Sequence, residues 1–120
     1  MRLVVIESPY AGDVEMNLRY LRAAMRDCLM RGESPYASHG LYTQPGVLND
    51  DDPVERMQGI TAGFEWRYRS DATVVYTDLG ITDGMAHGIR HANARHHPVV
   101  YRSVPGWAPR RTPGERRDWR

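Results

Sequence analysis

The sequence predicts an α/β fold: a four-stranded parallel sheet, taken in the order 2-1-3-4, with helices on both faces in three layers. Three observations predict it. Short apolar runs of strand length alternate with longer stretches of helical periodicity, giving β-α-β-α-β-α-β. The first run, Leu3-Val4-Val5-Ile6, is continuously apolar, as suits a strand covered on both faces. Right-handed crossovers then distribute the helices over both faces of a parallel sheet.

The first strand spans Arg2 to Glu7. A turn follows, Ser8-Pro9-Tyr10-Ala11-Gly12-Asp13, and then a helix that Gly12 or Asp13 starts and Gly32 stops. Val14, Leu18, Leu21, Met25 and Cys28 recur at spacings of four and three, which make one helical face. Ser34 to His39 is predicted as a short second strand. Gly40 to Asp52 reads as a loop, near the upper length that compact domains use without a purpose. Asp52-Pro53-Val54-Glu55 opens the second helix: Asp52 caps, Pro53 suits the first turn, and Glu55 stands at capping-box spacing. Val54, Met57, Ile60, Phe64 and Tyr68 form its expected apolar face. Ala72 to Thr77 is the third strand. The turn at 78–84 leads into a third helix, capped by Thr82 or Asp83 and running to about Arg95, with Met85, Ile89 and Ala92 toward the sheet. Pro98 to Arg102 is the fourth strand. The domain is expected over residues 1–104. Residues 105–120 form an Arg- and Pro-rich C-terminal tail, read as disordered or loosely packed through Trp107 and Trp119.

All 16 basic residues are arginine. Without lysine, a Schiff-base or P-loop chemistry is excluded. Residues 1–104 carry 11 Arg against 13 acids, and residues 105–120 carry 5 Arg against 2 acids. The body is thus slightly acidic, and nucleic acid is not an expected partner. Cys28 is the single cysteine, which excludes an intrachain disulfide; its position on the apolar helix face predicts a buried thiol. No apolar run approaches the roughly 20 residues of a membrane helix. Val4-Val5-Ile6 is too short for a signal peptide, so no membrane contact and a cytoplasmic location are expected.

In an open sheet of order 2-1-3-4 the topological switch lies between strands one and three, where ligands bind beyond the carboxyl ends. The 7–13 and 78–84 loops are expected at the mouth of that pocket. Ser8, Pro9, Tyr10 and Gly12 offer a hydroxyl, an aromatic face and a helix N-terminus suited to an anion; the alternative is a plain strand-to-helix turn capped by Asp13. His39, Tyr42, Thr43 and Gln44 can read a base or a sugar, or belong to a solvated loop. Asp78 can bind a ribose hydroxyl or act as a base, or accept backbone bonds in its turn. Asp50-Asp51-Asp52 reads as a cap with solvent-facing charge rather than a cation site. His87 and His91 have metal-ligand spacing without a supporting motif and read as a polar helix face. Neither a metal nor a cofactor is expected.

Four motifs occur in order: Val4-Val5-Ile6-Glu7-Ser8-Pro9-Tyr10-Ala11-Gly12-Asp13-Val14-Glu15, His39-x-Leu41-Tyr42-x-Gln44, Asp51-Asp52-Pro53-x-Glu55-Arg56, and Gly84-Met85. Together they resemble an uncharacterised family, frequent in phages and actinobacteria, of the nucleoside 2-deoxyribosyltransferase-like superfamily. The resemblance covers about residues 1–102. It implies a three-layer Rossmann- or flavodoxin-like domain, a nucleoside or nucleotide ligand, frequent homodimers, and enzymes that cleave or exchange the N-glycosidic bond. Those enzymes use a Glu nucleophile near the start of the third helix and an Asp on the second. Here Gly84-Met85-Ala86-His87-Gly88 holds no Glu, and Ala62-Gly63-Phe64 stands where the Asp is expected. Glu7, Glu65, Asp78 and Asp83 are the carboxylates left to substitute.

The expected function is binding of a nucleotide- or nucleoside-like small molecule, with sequestration or modification of a nucleotide if the protein is phage-encoded. Ser8, Pro9, Tyr10, Gly12, His39, Tyr42, Gln44, Asp78, Gly80, Gly84 and Met85 are the expected ligand contacts. Asp78 and Glu7 are the catalytic candidates if the ligand is turned over by an N-glycosidase or deoxyribosyltransferase. A non-catalytic interaction module is the remaining alternative. A homodimer or larger homo-oligomer is the expected assembly.

Overall fold

In the computed structural model, which describes residues 1–108, the chain runs β1 (Arg2–Glu7), α1 (Val14–Met30), β2 (Glu33–Tyr36), α2 (Ser38–Leu41), α3 (Pro53–Arg67), β3 (Ala72–Tyr76), α4 (Asp83–Ala94) and β4 (Val99–Arg102). The strands pair in parallel in the order β2-β1-β3-β4, as the sequence predicts. The first connection runs toward β2 and the later ones run the other way. Right-handed crossovers therefore set α1 on one face and α3 and α4 on the other.

Side-chain alternation along the two inner strands agrees with this arrangement. Val4, Ile6, Val74 and Tyr76 pack with Tyr20, Leu21, Ala24 and Cys28 of α1. On the opposite face Val75 packs with Met85 and Ile89 of α4. Cys28 is fully buried, and its thiol pKa is raised by that burial. Pro35 sits within β2 and pairs with Val4; a proline is tolerated because β2 is an edge strand. Arg102 of β4 makes a bidentate bond to Glu33 of β2, with oxygens at 2.7 and 2.6 Å. No helix among the described residues is long and apolar enough to cross a membrane.

Three caps set the helix starts. Asp13 accepts from the Met16 N–H, Asp52 from the Val54 N–H, and Thr82 from the Met85 N–H. Glu55 departs from the expected capping box. Its carboxylate accepts from the Asn49 N–H at 2.9 Å, bracing the preceding loop instead of the cap residue. Gly32 closes α1 with a φ of +79°, the left-handed conformation that ends a helix.

The expected second strand is shorter than Ser34 to His39. It ends at Tyr36, and Ser38–Leu41 wind into α2, so His39 sits on a helical turn. Close packing accounts for this. A Cβ added to Gly63 of α3 would meet Ser38, so these two small residues let α2 and α3 approach.

The expected apolar faces also shift. On α1 the buried residues are Asn17, Tyr20, Leu21, Ala24 and Cys28, while Val14 is exposed. On α3 Val54 is 77% exposed and Met57 54%, and the buried residues are Gly63 and Arg67. The inner face of α3 looks onto a cavity instead of onto packed side chains. Beyond β4, Val104 is buried and Trp107 meets the Tyr20 ring edge-on, with centroids 4.8 Å apart. The chain thus stays on the core past residue 104; Trp119 and the rest of the expected tail lie outside the described residues.

Candidate ligand-binding site

A cavity of about 770 Å³ opens over the carboxyl end of β1 and the start of α4, beside the switch point of the sheet. Its volume lies in the range of small-molecule sites. One wall is α3, through Met57, Ile60, Gly63, Phe64 and Arg67, a stripe at helical spacing. The floor is the end of β1, through Glu7 and Ser8. The start of α4 closes a second side with Asp83, Gly84, Met85, His87 and Gly88, and Ser38, His39, Tyr42 and Thr43 close a third.

Glu7 is the last residue of β1 and points to the α3/α4 face. Its carboxylate accepts from Arg67 Nη2 at 2.5 Å, and the two side chains are 15% and 3% exposed. Arg67 Nε donates to Thr73 Oγ1 at 3.1 Å, and Nη1 lies 3.1 Å from His91 Nδ1. A guanidinium only donates, so His91 accepts there and stays uncharged. Burial and then the Arg67 charge hold the His91 pKa down, and its ring stacks on Phe64 at 3.7 Å. Burial pushes the Glu7 carboxyl up to about 7, and Arg67 only partly opposes that rise. Gly88 makes the packing possible: any Cβ there would overlap the Glu7 carboxylate.

Beside this pair, Ser8 Oγ lies 2.7 Å from His39 Nε2. Ser8 is 5% exposed, and burial lowers the His39 pKa to about 4. At neutral pH the ring is uncharged.

Of the residues expected at the ligand, Glu7, Ser8, Tyr10, His39, Tyr42, Gly84 and Met85 come together around this cavity. Gly12, with a φ of +98°, lines an adjoining open cavity that shares Tyr10, Thr43 and Leu48 with it. Four expected contacts stand elsewhere. Pro9 is buried behind the loop. Gln44 is exposed and donates to the Leu41 carbonyl at 3.0 Å, finishing α2. Gly80 forms a turn at φ +86° away from the lining. Asp78 belongs to the α1 side of the sheet. Its carboxylate accepts from the Tyr20 hydroxyl at 2.6 Å and the Val104 N–H at 2.7 Å, while its own N–H donates to Tyr20. The position expected for Asp78, inside the pocket, is therefore corrected: its side chain ties α1 to the segment after β4. Glu65 also faces solvent.

Arg67, Gly88, Phe64, Ile60 and Met57 are cavity residues that sequence reasoning did not assign to a site. Arg67 carried a usable signal. It falls three residues after Phe64 on the apolar side of its helix, where an unpaired charge is costly. Gly88 carried none, because its partner Glu7 is 81 positions away. Among the described residues no group of three His, Cys, Asp or Glu side chains is placed to hold a metal ion.

The parallel order 2-1-3-4 with helices on both faces is an α/β fold of the Rossmann type. The chain belongs to the family described as domain of unknown function DUF7768, whose family model matches residues 2–102. Among solved structures it is similar to a 2-deoxyribosyltransferase from the psychrotolerant bacterium Bacillus psychrosaccharolyticus. That similarity has a TM-score of 0.64 and 16% identity, and covers 90% of this chain and 77% of the other. No curated protein matches.

Proposed function

We propose that the chain binds a nucleoside-like small molecule in the cavity between α3, α4 and the end of β1. The observation that carries this reading is the inner face of α3. Met57, Ile60 and Phe64 line open space, with the polar Glu7–Arg67 and Ser8–His39 pairs at its floor. Apolar walls around a few convergent polar groups suit an aromatic ring carrying a sugar. The likeness in fold to a 2-deoxyribosyltransferase supports the same class of guest.

Charge favours a nucleoside over a nucleotide. Glu7, Asp50, Glu55 and Asp83 line the cavity against Arg56 and Arg67, and Arg67 is already engaged by Glu7. Several phosphates would meet more carboxylate than guanidinium there. Sequestration of the ligand follows if no product is released. A homodimer is part of the reading, with Val54 and Met57, both exposed on α3, available to a second copy.

A second reading, cleavage of the N-glycosidic bond, is favoured by Glu7. A carboxyl with a pKa near 7 can hold a proton for a leaving base, and it lines the cavity. Both readings are tested on one panel: 2′-deoxynucleosides and their 5′-monophosphates, followed by thermal melting and by chromatography for free base. At 100 times Kd a ligand adds about 2.7 kcal/mol, on the order of 10 °C in Tm for a domain of this size. Stabilisation by nucleosides without product supports binding. Free base that disappears in Glu7→Gln supports the enzyme. No shift with any compound overturns both.

A further inference from the structure

We infer that Ser8 and His39 form a reversible hydrogen-bond reader, which presents either a donor or an acceptor to the ligand by exchanging protons between the imidazole tautomers. The inference rests on the proposed nucleoside site and specifies how that site treats a guest's polar edge.

The geometry supplies the parts. Ser8 Oγ and His39 Nε2 are 2.7 Å apart, a full hydrogen bond. A hydroxyl both donates and accepts, and a neutral imidazole has one nitrogen of each kind. Two arrangements of the pair are therefore possible. Ser8 donates to Nε2, and the proton sits on Nδ1; or Nε2–H donates to Ser8, and Nδ1 carries a lone pair. Ser8 is almost fully buried, and no other hydrogen-bond partner of its hydroxyl occurs among the described residues. Nothing among the described residues therefore fixes the direction of the bond.

The imidazole is equally unconstrained. His39 lines the cavity, and among the described residues its Nδ1 has no hydrogen-bond partner and is not a sealed polar atom. It is the ring nitrogen left to a guest. The ring also stays uncharged over the working range of pH, so the choice is between two neutral forms. The contrast with His91 is instructive. There the Arg67 guanidinium dictates that Nδ1 accepts. Among the described residues no such cation is bonded to His39.

A reader of this kind accepts a carbonyl edge and an amino edge in the same place. When the ligand brings a carbonyl, Nδ1–H donates and Ser8 donates to Nε2. When it brings an amino group, Nδ1 accepts and Nε2–H donates to Ser8. The cost of switching is a hydroxyl rotation and a tautomer exchange.

The test uses the unmodified protein labelled with ¹⁵N-histidine, and two ligands that differ at a single ring edge. These are 2′-deoxyadenosine, with an amino group, and 2′-deoxyinosine, with a carbonyl. Long-range ¹H–¹⁵N spectra report which ring nitrogen is protonated, and His39→Gln assigns the signals. The expected result is Nε2–H in the deoxyadenosine complex and Nδ1–H in the deoxyinosine complex, with affinities within about tenfold of each other. Ser8→Ala leaves Nε2 without its partner in either tautomer, so both complexes are expected to weaken by about tenfold, the scale of one hydrogen bond, and unchanged affinities would remove Ser8 from the reader. If both ligands bind and His39 keeps one tautomer, the inference is overturned while the nucleoside site stands. If neither binds at millimolar concentration, the site and the inference fall together.

Discussion

At the scale of single residues, two buried titratable groups on the cavity floor pull stability in opposite directions. Glu7 has a folded pKa near 7, above the 4.5 of an unperturbed carboxyl. Its contribution is complete below pH 4.5 and is lost as the pH rises through 7, because the folded state holds the proton longer. His39 has a folded pKa near 4, below 6.5. Its contribution is complete above pH 6.5 and is lost as the pH falls toward 4. Each is worth on the order of 2 kcal/mol after allowance for screening. Between pH 4.5 and 6.5 these two slopes oppose each other, while His91, whose pKa is also held down, adds a rise of stability with pH. Urea unfolding across that window is therefore read as a change of slope relative to the parent protein. Glu7→Gln should steepen the gain in stability with rising pH and His39→Gln should flatten or reverse it; parallel slopes in the two variants would refute the assignment. Asp78 makes a different prediction. Its carboxylate holds Tyr20 and the Val104 N–H, so Asp78→Ala is expected to lower stability by about 2–3 kcal/mol. Ligand affinity, measured well below the lowered Tm, should remain that of the parent.

At the scale of elements, α3 differs from the other long helices. Tyr20, Leu21, Ala24 and Cys28 anchor α1, and Met85, Ile89 and Ala92 anchor α4, whereas α3 buries only Gly63 and Arg67. Its connection to the sheet runs through the Arg67 guanidinium to Glu7 and Thr73. Arg67→Met is therefore expected to speed amide exchange across α3 while leaving α1 and α4 protected, and to weaken ligand binding. Uniform loss of protection in all three helices would contradict a local anchor. Arg102 plays a comparable part on the α1 side. Both its terminal nitrogens are bonded to Glu33, and those two side chains are 10% and 9% exposed. Removing one member of such a pair leaves the other charge buried, at a cost of about 3–5 kcal/mol. Arg102→Ala is expected to lower the urea midpoint accordingly, and Glu33→Gln with it.

The same elements show where a sequence is informative. Continuous apolar runs marked β1 and β3, and Asp13, Asp52 and Thr82 marked the helix starts, because strand burial and caps are local properties. The glycine-poor stretch before His39 resembled a strand, yet α2 forms there through contacts with Gly63, 25 positions after Ser38. The apolar pattern of α3 looked like a core face because periodicity reports which side is apolar, not what lies opposite it. That Glu7, Ser8, Tyr10, His39 and Tyr42 share one cavity was legible, since the segments after neighbouring parallel strands converge at one end of the sheet whatever their side chains do. Arg67 and Gly88 were not, because their roles exist only through Glu7.

At the scale of the whole molecule, the domain has one well-packed face, built on α1, and one face left open over the end of β1. The α1 side carries the larger core and extends it past β4 through Val104 and Trp107. The α3/α4 side holds a smaller core and the cavity. On the proposed reading stability belongs to the α1 face and binding to the other, where a nucleoside would supply the surface that α3 lacks. Size-exclusion chromatography with light scattering is expected to give twice the 13.7 kDa of the chain, if Val54 and Met57 are covered by a second copy. A monomer at micromolar concentration would remove the dimer from the reading and leave the cavity. The most direct measurement is a calorimetric titration of the protein with 2′-deoxynucleosides at several temperatures. A nucleoside site predicts saturable binding, one ligand per chain, with a negative heat-capacity change as the apolar face of α3 is covered. The absence of saturable heat with every 2′-deoxynucleoside up to millimolar concentration would contradict it.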